Sequence, residues 1–225
     1  MMAPPAGAPP GLSHGRLSFR FVVGVDVAGF SPLCAADQAE VQRDLARALD
    51  EAATGAGLER TQWVRQVAGD GELAFLPSDT DVLRLVGAFP RELERALADV
   101  NAQRTPRLRV RFALHHGTLM DGPFGPVGSA PIVAARLLDA QVLRDELARG
   151  GADLALIVSR RIYDDIVQTG LEGLDPAVFE PVDVRAKGRA FPAYIRRNPP
   201  GGRAVQVAEP ASRRSLKRLR AAVLL

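Results

Sequence analysis

The sequence predicts an α+β protein on a ferredoxin-like sheet, a β-α-β-β-α-β core extended by α-β-α-β-β. Segments of helical and of strand periodicity alternate along the chain, one tight hairpin falls after the first helix, and no internal repeat is present. In such a sheet helices are expected on one face, and the first strand lies beside the hairpin.

Leu17-Ser-Phe-Arg-Phe-Val-Val-Gly-Val-Asp26 alternates early and then turns continuously apolar, as a strand entering a core does. Residues 36–55 set Val41, Leu45, Ala48, Leu49 and Ala52 at helical spacing, and Gly55 and Gly57 close that helix. Strands follow over about 61–68 and 72–77, joined around Gly69-Asp70-Gly71, because an Asp-Gly pair between apolar runs signals a hairpin. A helix over 80–101 carries Val82, Leu85, Val86, Phe89, Leu93 and Leu97 on one stripe, with Pro90 as its expected kink. Leu108–His115 reads as a strand, and residues 131–148 as one helix with Pro131 in its first turn. Leu154–Val158 is a buried strand, Ser159 the N-cap of a short helix to about 168, and Val178–Val184 with Phe191–Ile195 a closing strand pair.

Hydrophobic residues make up 47% and charged residues 24%, enough apolar content for one sizeable core and too much for a disordered chain. No apolar run reaches the roughly 18 residues of a membrane helix, no signal peptide is recognisable, and Cys34 stands alone. The chain therefore reads as cytoplasmic. Residues 1–16, rich in Pro, Ala and Gly, form an expected disordered leader before a domain over 17–197. Residues 198–225 are a basic tail. From Arg197 onward seven basic side chains face Glu209 alone, so the net +3 divides into +6 there and −3 on the rest. That division argues against a nucleic-acid-binding surface on the body. The tail is a solvated segment or a short basic amphipathic helix, making weak contact with a membrane or an acidic partner.

Three constellations carry possible chemistry. Asp26 ends a buried strand and is followed by Gly29, Phe30 and Ser31. Asp70 sits in the hairpin. Strand order brings these acids to one sheet edge, where two carboxylates repel or share a divalent cation. Taken singly, Asp70 is more often turn chemistry, and Asp26 is as readily a cap. The third constellation runs from Arg111 through His115-His116-Gly117 to Ala134-Ala135-Arg136-Leu137. Adjacent histidines on a strand point to opposite faces and suit a core-facing and a solvent-facing role better than one metal. Arg136, among alanines, suits a phosphate or a structural ion pair.

Taken in order, Asp26 with Gly29-Phe30-Ser31, Gly69-Asp70-Gly71, His115-His116-Gly117, Gly128 and Ala134-Ala135-Arg136-Leu137 resemble the catalytic domain of class III nucleotidyl cyclases, the adenylate/guanylate cyclase family. The resemblance covers about residues 18–196. In overall pattern the chain is also similar to a divergent actinobacterial cyclase-like group. It implies a head-to-tail homodimer that converts a nucleoside triphosphate to a 3′,5′-cyclic nucleotide and pyrophosphate. It implies that Asp26 and Asp70 hold two Mg²⁺ or Mn²⁺ ions, that Arg136 comes from the opposite subunit, and that Gly29, Phe30 and Ser31 cradle phosphates. Two positions depart from the pattern. Ile132 stands where the family has a ribose-orienting asparagine, and Gln66 stands where it has a base-selecting lysine. The set fits an enzyme of altered substrate, and equally an inactive nucleotide-sensing or dimerisation module in a regulatory or defence assembly. A polymerase-like palm shares the sheet order but not the Ala-Ala-Arg-Leu helix.

Overall fold

The computed structural model describes residues 17–149 and 151–198. The leader over 1–16 and the basic tail from 199 lie outside these residues.

Seven strands form one mixed sheet: β1 (Ser18–Val27), β2 (Val64–Ala68), β3 (Gly71–Phe75), β4 (Val110–Leu119), β5 (Leu154–Ser159), β6 (Phe179–Ala186) and β7 (Arg189–Arg196). Their spatial order is β2-β3-β1-β4-β5-β7-β6. The antiparallel block β2-β3-β1-β4 is the ferredoxin-like core, and β5 adds in parallel to β4. β1 is central, paired with β3 and, over ten residues, with β4. Covered on both faces, its second half has no need of polar alternation.

The helices occupy both faces, which corrects the one-face expectation. Helices α1 (Ala35–Gly55) and α2 (Phe89–Asn101) cover Phe21, Val23, Val25, Phe112 and Leu156 on the first face. Helices α3 (Ser129–Leu138) and α4 (Gln141–Arg149) cover Ala113, Ala155, Ile157, Ala193 and Ile195 on the second. The cause lies in β4, β5 and β7, whose second-face positions are also apolar and need a layer of their own.

Other differences are local. The single helix expected over 131–148 is two, broken at Asp139-Ala140, and the break lets Leu137, Leu143 and Leu147 enter one cluster. Ahead of α2, residues Arg84–Ala88 widen into a π turn. Pro90 supplies no N–H to the Val86 carbonyl, so the kink takes this form. The first hairpin strand starts at Val64, because Arg60–Gln62 wind into a 3₁₀ turn. Ser159 precedes α5 (Arg160–Asp165) in extended conformation, but its hydroxyl makes no cap bond and is buried without a partner. The β6–β7 hairpin turns through Lys187 (φ 49°) and Gly188 (φ 73°), the doubly left-handed geometry that matches strand twist. No described helix is long and apolar enough to cross a membrane.

Candidate functional site

Asp26 lies at the C-terminal end of β1. Its neighbours Val25 and Val27 point into the core beneath α1 and α2, so its own side chain points to the face covered by α3. Strand register puts Asp26 opposite Gly71 on one side and Arg111 on the other. The approach at Gly71 is close enough to need glycine. A β-carbon there would overlap the Val25 carbonyl oxygen and lie 2.7 Å from Asp26 Cα. The hairpin turn thus docks on the end of β1, where the Val27 N–H donates to the Asp70 carbonyl at 2.8 Å. From α1, Gln42 donates its side-chain amide to the Gly69 carbonyl at 2.7 Å and fixes the far side of the turn. The acids of the first two constellations are therefore brought to one end of the sheet.

Their electrostatics reveal two residues that sequence reasoning had not assigned to this site. Arg111 Nε donates to Asp26 Oδ1 at 2.6 Å, and both side chains are largely buried. Asp139, just past α3, adds its charge to the field at Asp26. Burial raises the Asp26 carboxyl from 3.8 to about 6. Arg111 works against this shift, and the charges of Asp70 and Asp139 reinforce it. Burial wins although the ion pair is short, because one partly buried guanidinium does not replace the lost water. The Arg111 contact is latent in the sequence, since it follows once β1 and β4 are paired in register. Asp139 carried no signal, because the helix was expected to run through it.

The segment after β1 turns at once. Gly29 adopts φ 75°, and a β-carbon there would meet nothing within 4 Å, so this backbone faces open space. Phe30 is buried and packs beside Gly69, which ties the turn to the hairpin. Ser31 is exposed. The Ala28 N–H is taken by the Arg109 carbonyl at 2.9 Å.

Gln66 shares the Asp26 face. The cross-strand row Gln66–Leu73–Gly24 lies beside the row Ala68–Gly71–Asp26. Two strand spacings and one two-residue step separate Gln66 from Asp26, about 12 Å between backbones. The Gln66 Nε2 group donates to the Phe124 carbonyl at 3.1 Å, in the loop between β4 and α3. Ile132 is half exposed on α3. Arg136 is the sequence-predicted residue that does not join the acids. Its Nη1 lies 4.0 Å from Asp139, and no contact links it to Asp26 or Asp70 among the described residues.

The histidines divide between faces, as strand geometry requires. His116 stacks on Phe21, with centroids 4.3 Å apart, on the α1 side. His115 lies on the α3 side near Gly117 and Ala130. Burial first, then His116 and Arg161, lowers the His115 imidazole to about 4 and keeps it neutral. Among the described residues no group of three or more His, Cys, Asp or Glu side chains is arranged to hold a metal ion. Asp26 and Asp70 are nevertheless hard oxygen donors at one end of the sheet, with Arg111 holding only Oδ1 of Asp26. That is the chemistry of Mg²⁺ or Mn²⁺, which commonly draw the rest of their shell from water and substrate phosphates.

Comparison with solved structures gives the fold a relation. A guanylyl cyclase superposes with a TM-score of 0.57 at 19% identity, covering 87% of this chain and 98% of that one. An adenylate/guanylate cyclase/hydrolase from Silicibacter pomeroyi gives 0.56 at 20%, covering 81% and 98%. The guanylate cyclase domain of RhGC from Catenaria anguillulae, in complex with GTP, gives 0.52 at 17%, covering 81% and 100%. No protein-family model and no curated protein matches the sequence. The fold is that of class III adenylate/guanylate cyclase catalytic domains.

Proposed function

We propose that the protein is a divergent nucleotidyl cyclase that converts a nucleoside triphosphate to its 3′,5′-cyclic monophosphate and pyrophosphate. The observation that carries this reading is the docking of the Gly69-Asp70-Gly71 turn on the end of β1, which sets two acids at one end of a cyclase-fold sheet. Asp26 and Asp70 would hold Mg²⁺ or Mn²⁺, which when bound neutralise triphosphate charge and acidify the ribose 3′-hydroxyl. Arg111 orients the Asp26 carboxylate through Oδ1 and leaves its second oxygen for a ligand. The backbone of Gly29, Phe30 and Ser31, open on one side, receives phosphate oxygens. Gln66, about 12 Å away on the same face, stands at a distance suited to the base. In its own chain Arg136 is turned to Asp139, so a second copy would supply the arginine that balances charge at the transferring phosphorus.

A second reading draws on Ile132. A half-exposed aliphatic side chain cannot hydrogen-bond a ribose, and its presence favours a module that binds nucleotide, or pairs with a second copy, without turnover. One experiment decides between them. Purified protein is incubated with each of the four triphosphates and Mn²⁺, with Asp70→Ala as control. Cyclic product from at least one triphosphate, abolished by Asp70→Ala, is expected; none from any of the four overturns the enzyme reading.

A further inference from the structure

We infer that Gln42 of α1 is a positioning residue for Asp70: by binding the Gly69 carbonyl it holds the turn peptide in one orientation, so that affinity for the divalent cation is set from α1. The inference rests on the two-acid cation reading above and adds to it what keeps the second acid in place.

Ala68 pairs with Gly71, so Gly69 and Asp70 alone form the loop between β2 and β3. Two-residue hairpin loops favour positive φ, at both residues or at the first, because that geometry matches strand twist. The Lys187-Gly188 loop obeys, with φ 49° and 73°. The Gly69-Asp70 loop does not, since neither residue takes a positive φ. Such a turn is not the one its flanking strands would select, and it is held from outside the hairpin.

The hold is on the peptides themselves. The Gly69 carbonyl belongs to the peptide that ends in the Asp70 N–H, and it accepts from Gln42 Nε2 at 2.7 Å. The Asp70 carbonyl belongs to the next peptide, and it accepts from the Val27 N–H at 2.8 Å. Both peptide planes flanking the Asp70 α-carbon are therefore tied down, one to α1 and one to β1. Gln42 reaches out from firm ground, since Val41 beside it and Leu45 almost one turn on are buried in the core. Glycine at 69 leaves the first peptide the freer of the two. Released by Gln42, that peptide is able to turn over, which carries Asp70 to positive φ, a conformation aspartate tolerates. The Asp70 side chain then leaves the backbone in a different direction, and Asp26 loses its partner at the cation.

Binding of Mn²⁺ to the full chain, followed by the electron spin resonance of the free ion, tests the inference. Gln42→Met keeps the length of the side chain and removes the donor. Gln42→Asn keeps the donor and is too short to reach. Each is expected to weaken Mn²⁺ binding about fivefold, the worth of one short hydrogen bond. Val100→Ala, which opens a cavity under α2 and lowers stability in urea, is expected to leave Mn²⁺ binding at the wild-type value. A merely structural Gln42 would behave like that control. A second readout needs no metal. When the turn peptide inverts, a Gly69 α-hydrogen comes close to the Asp70 N–H, so the nuclear Overhauser effect between them strengthens in Gln42→Met. Wild-type Mn²⁺ affinity in Gln42→Met, a loss matched by Val100→Ala, or an unchanged Overhauser effect overturns the inference and leaves the two-acid reading standing. Mn²⁺ that fails to bind the wild type, or that binds Asp70→Ala equally well, overturns both.

Discussion

Replacing Asp26 by Asn isolates the cost of holding a charge at this site. The Asp26 carboxyl titrates near 6 in the folded protein against 3.8 ordinarily, so the folded state binds this proton more tightly than the unfolded chain. The sign follows: the contribution of Asp26 to stability is complete below 3.8 and is lost as pH rises through 6. The full difference is about 3 kcal/mol, of which about 2 falls between pH 4 and 7.5. Asparagine has the same shape, is neutral at every pH, and still accepts from Arg111 Nε through its oxygen. Asp26→Asn is therefore expected to gain about 2 kcal/mol over the wild type as pH is raised from 4 to 7.5, with the gain levelling off above 6. Urea unfolding in half-unit pH steps measures it, followed by the fluorescence of Trp63, the single and buried tryptophan. Taking the difference between the two proteins cancels all other titrating groups. A difference that stays flat, or that moves against the variant as pH rises, would show that the Arg111 pair outweighs desolvation and would refute the electrostatic account.

Two further substitutions probe the frame around the acids. Gly71→Ala forces β1 and β3 apart beside Asp26 and should cost roughly 1–3 kcal/mol in urea unfolding. Gly69→Ala, whose β-carbon would meet only Phe30 at 3.7 Å, should cost clearly less. Equal losses would contradict the close approach at Gly71. On the opposite face, Glu72 accepts from Arg60 Nη2 at 2.8 Å with both side chains buried. Glu72→Ala strands one side of the buried Arg60 guanidinium, which keeps Asp50 as a partner at its other nitrogen, and should cost roughly 1–3 kcal/mol, whereas Arg60→Met combined with Glu72→Leu should recover most of it by the same assay. A double variant no better than the single one would mean that the pair itself, not the stranded charge, carries the energy.

The site was unevenly legible. Asp26 and Asp70 were readable because each sits in a short pattern of strong local meaning, an acid ending an apolar run and an acid between glycines. Arg111 was visible as a residue but not as a partner, since its role arises only when Asp26 and Arg111 fall opposite each other in register. Asp139 and the Gln66–Phe124 contact were not readable at all. One depends on a helix break driven by burial of Leu143 and Leu147, the other on a loop folding across two strands to a residue 58 positions away.

Periodicity and turn chemistry, both local properties of the chain, determined the order of strands and helices, the first hairpin and the pair of acids at the sheet edge. Tertiary structure alone decided that helices cover both faces, that a carboxylate is desolvated against an arginine from another strand, and that an amide at the distant end of the same face meets a loop carbonyl. The division has one physical reason. Backbone preferences act over a few residues and are written in order along the chain, whereas burial and hydrogen-bond partners are fixed by neighbours that only packing supplies.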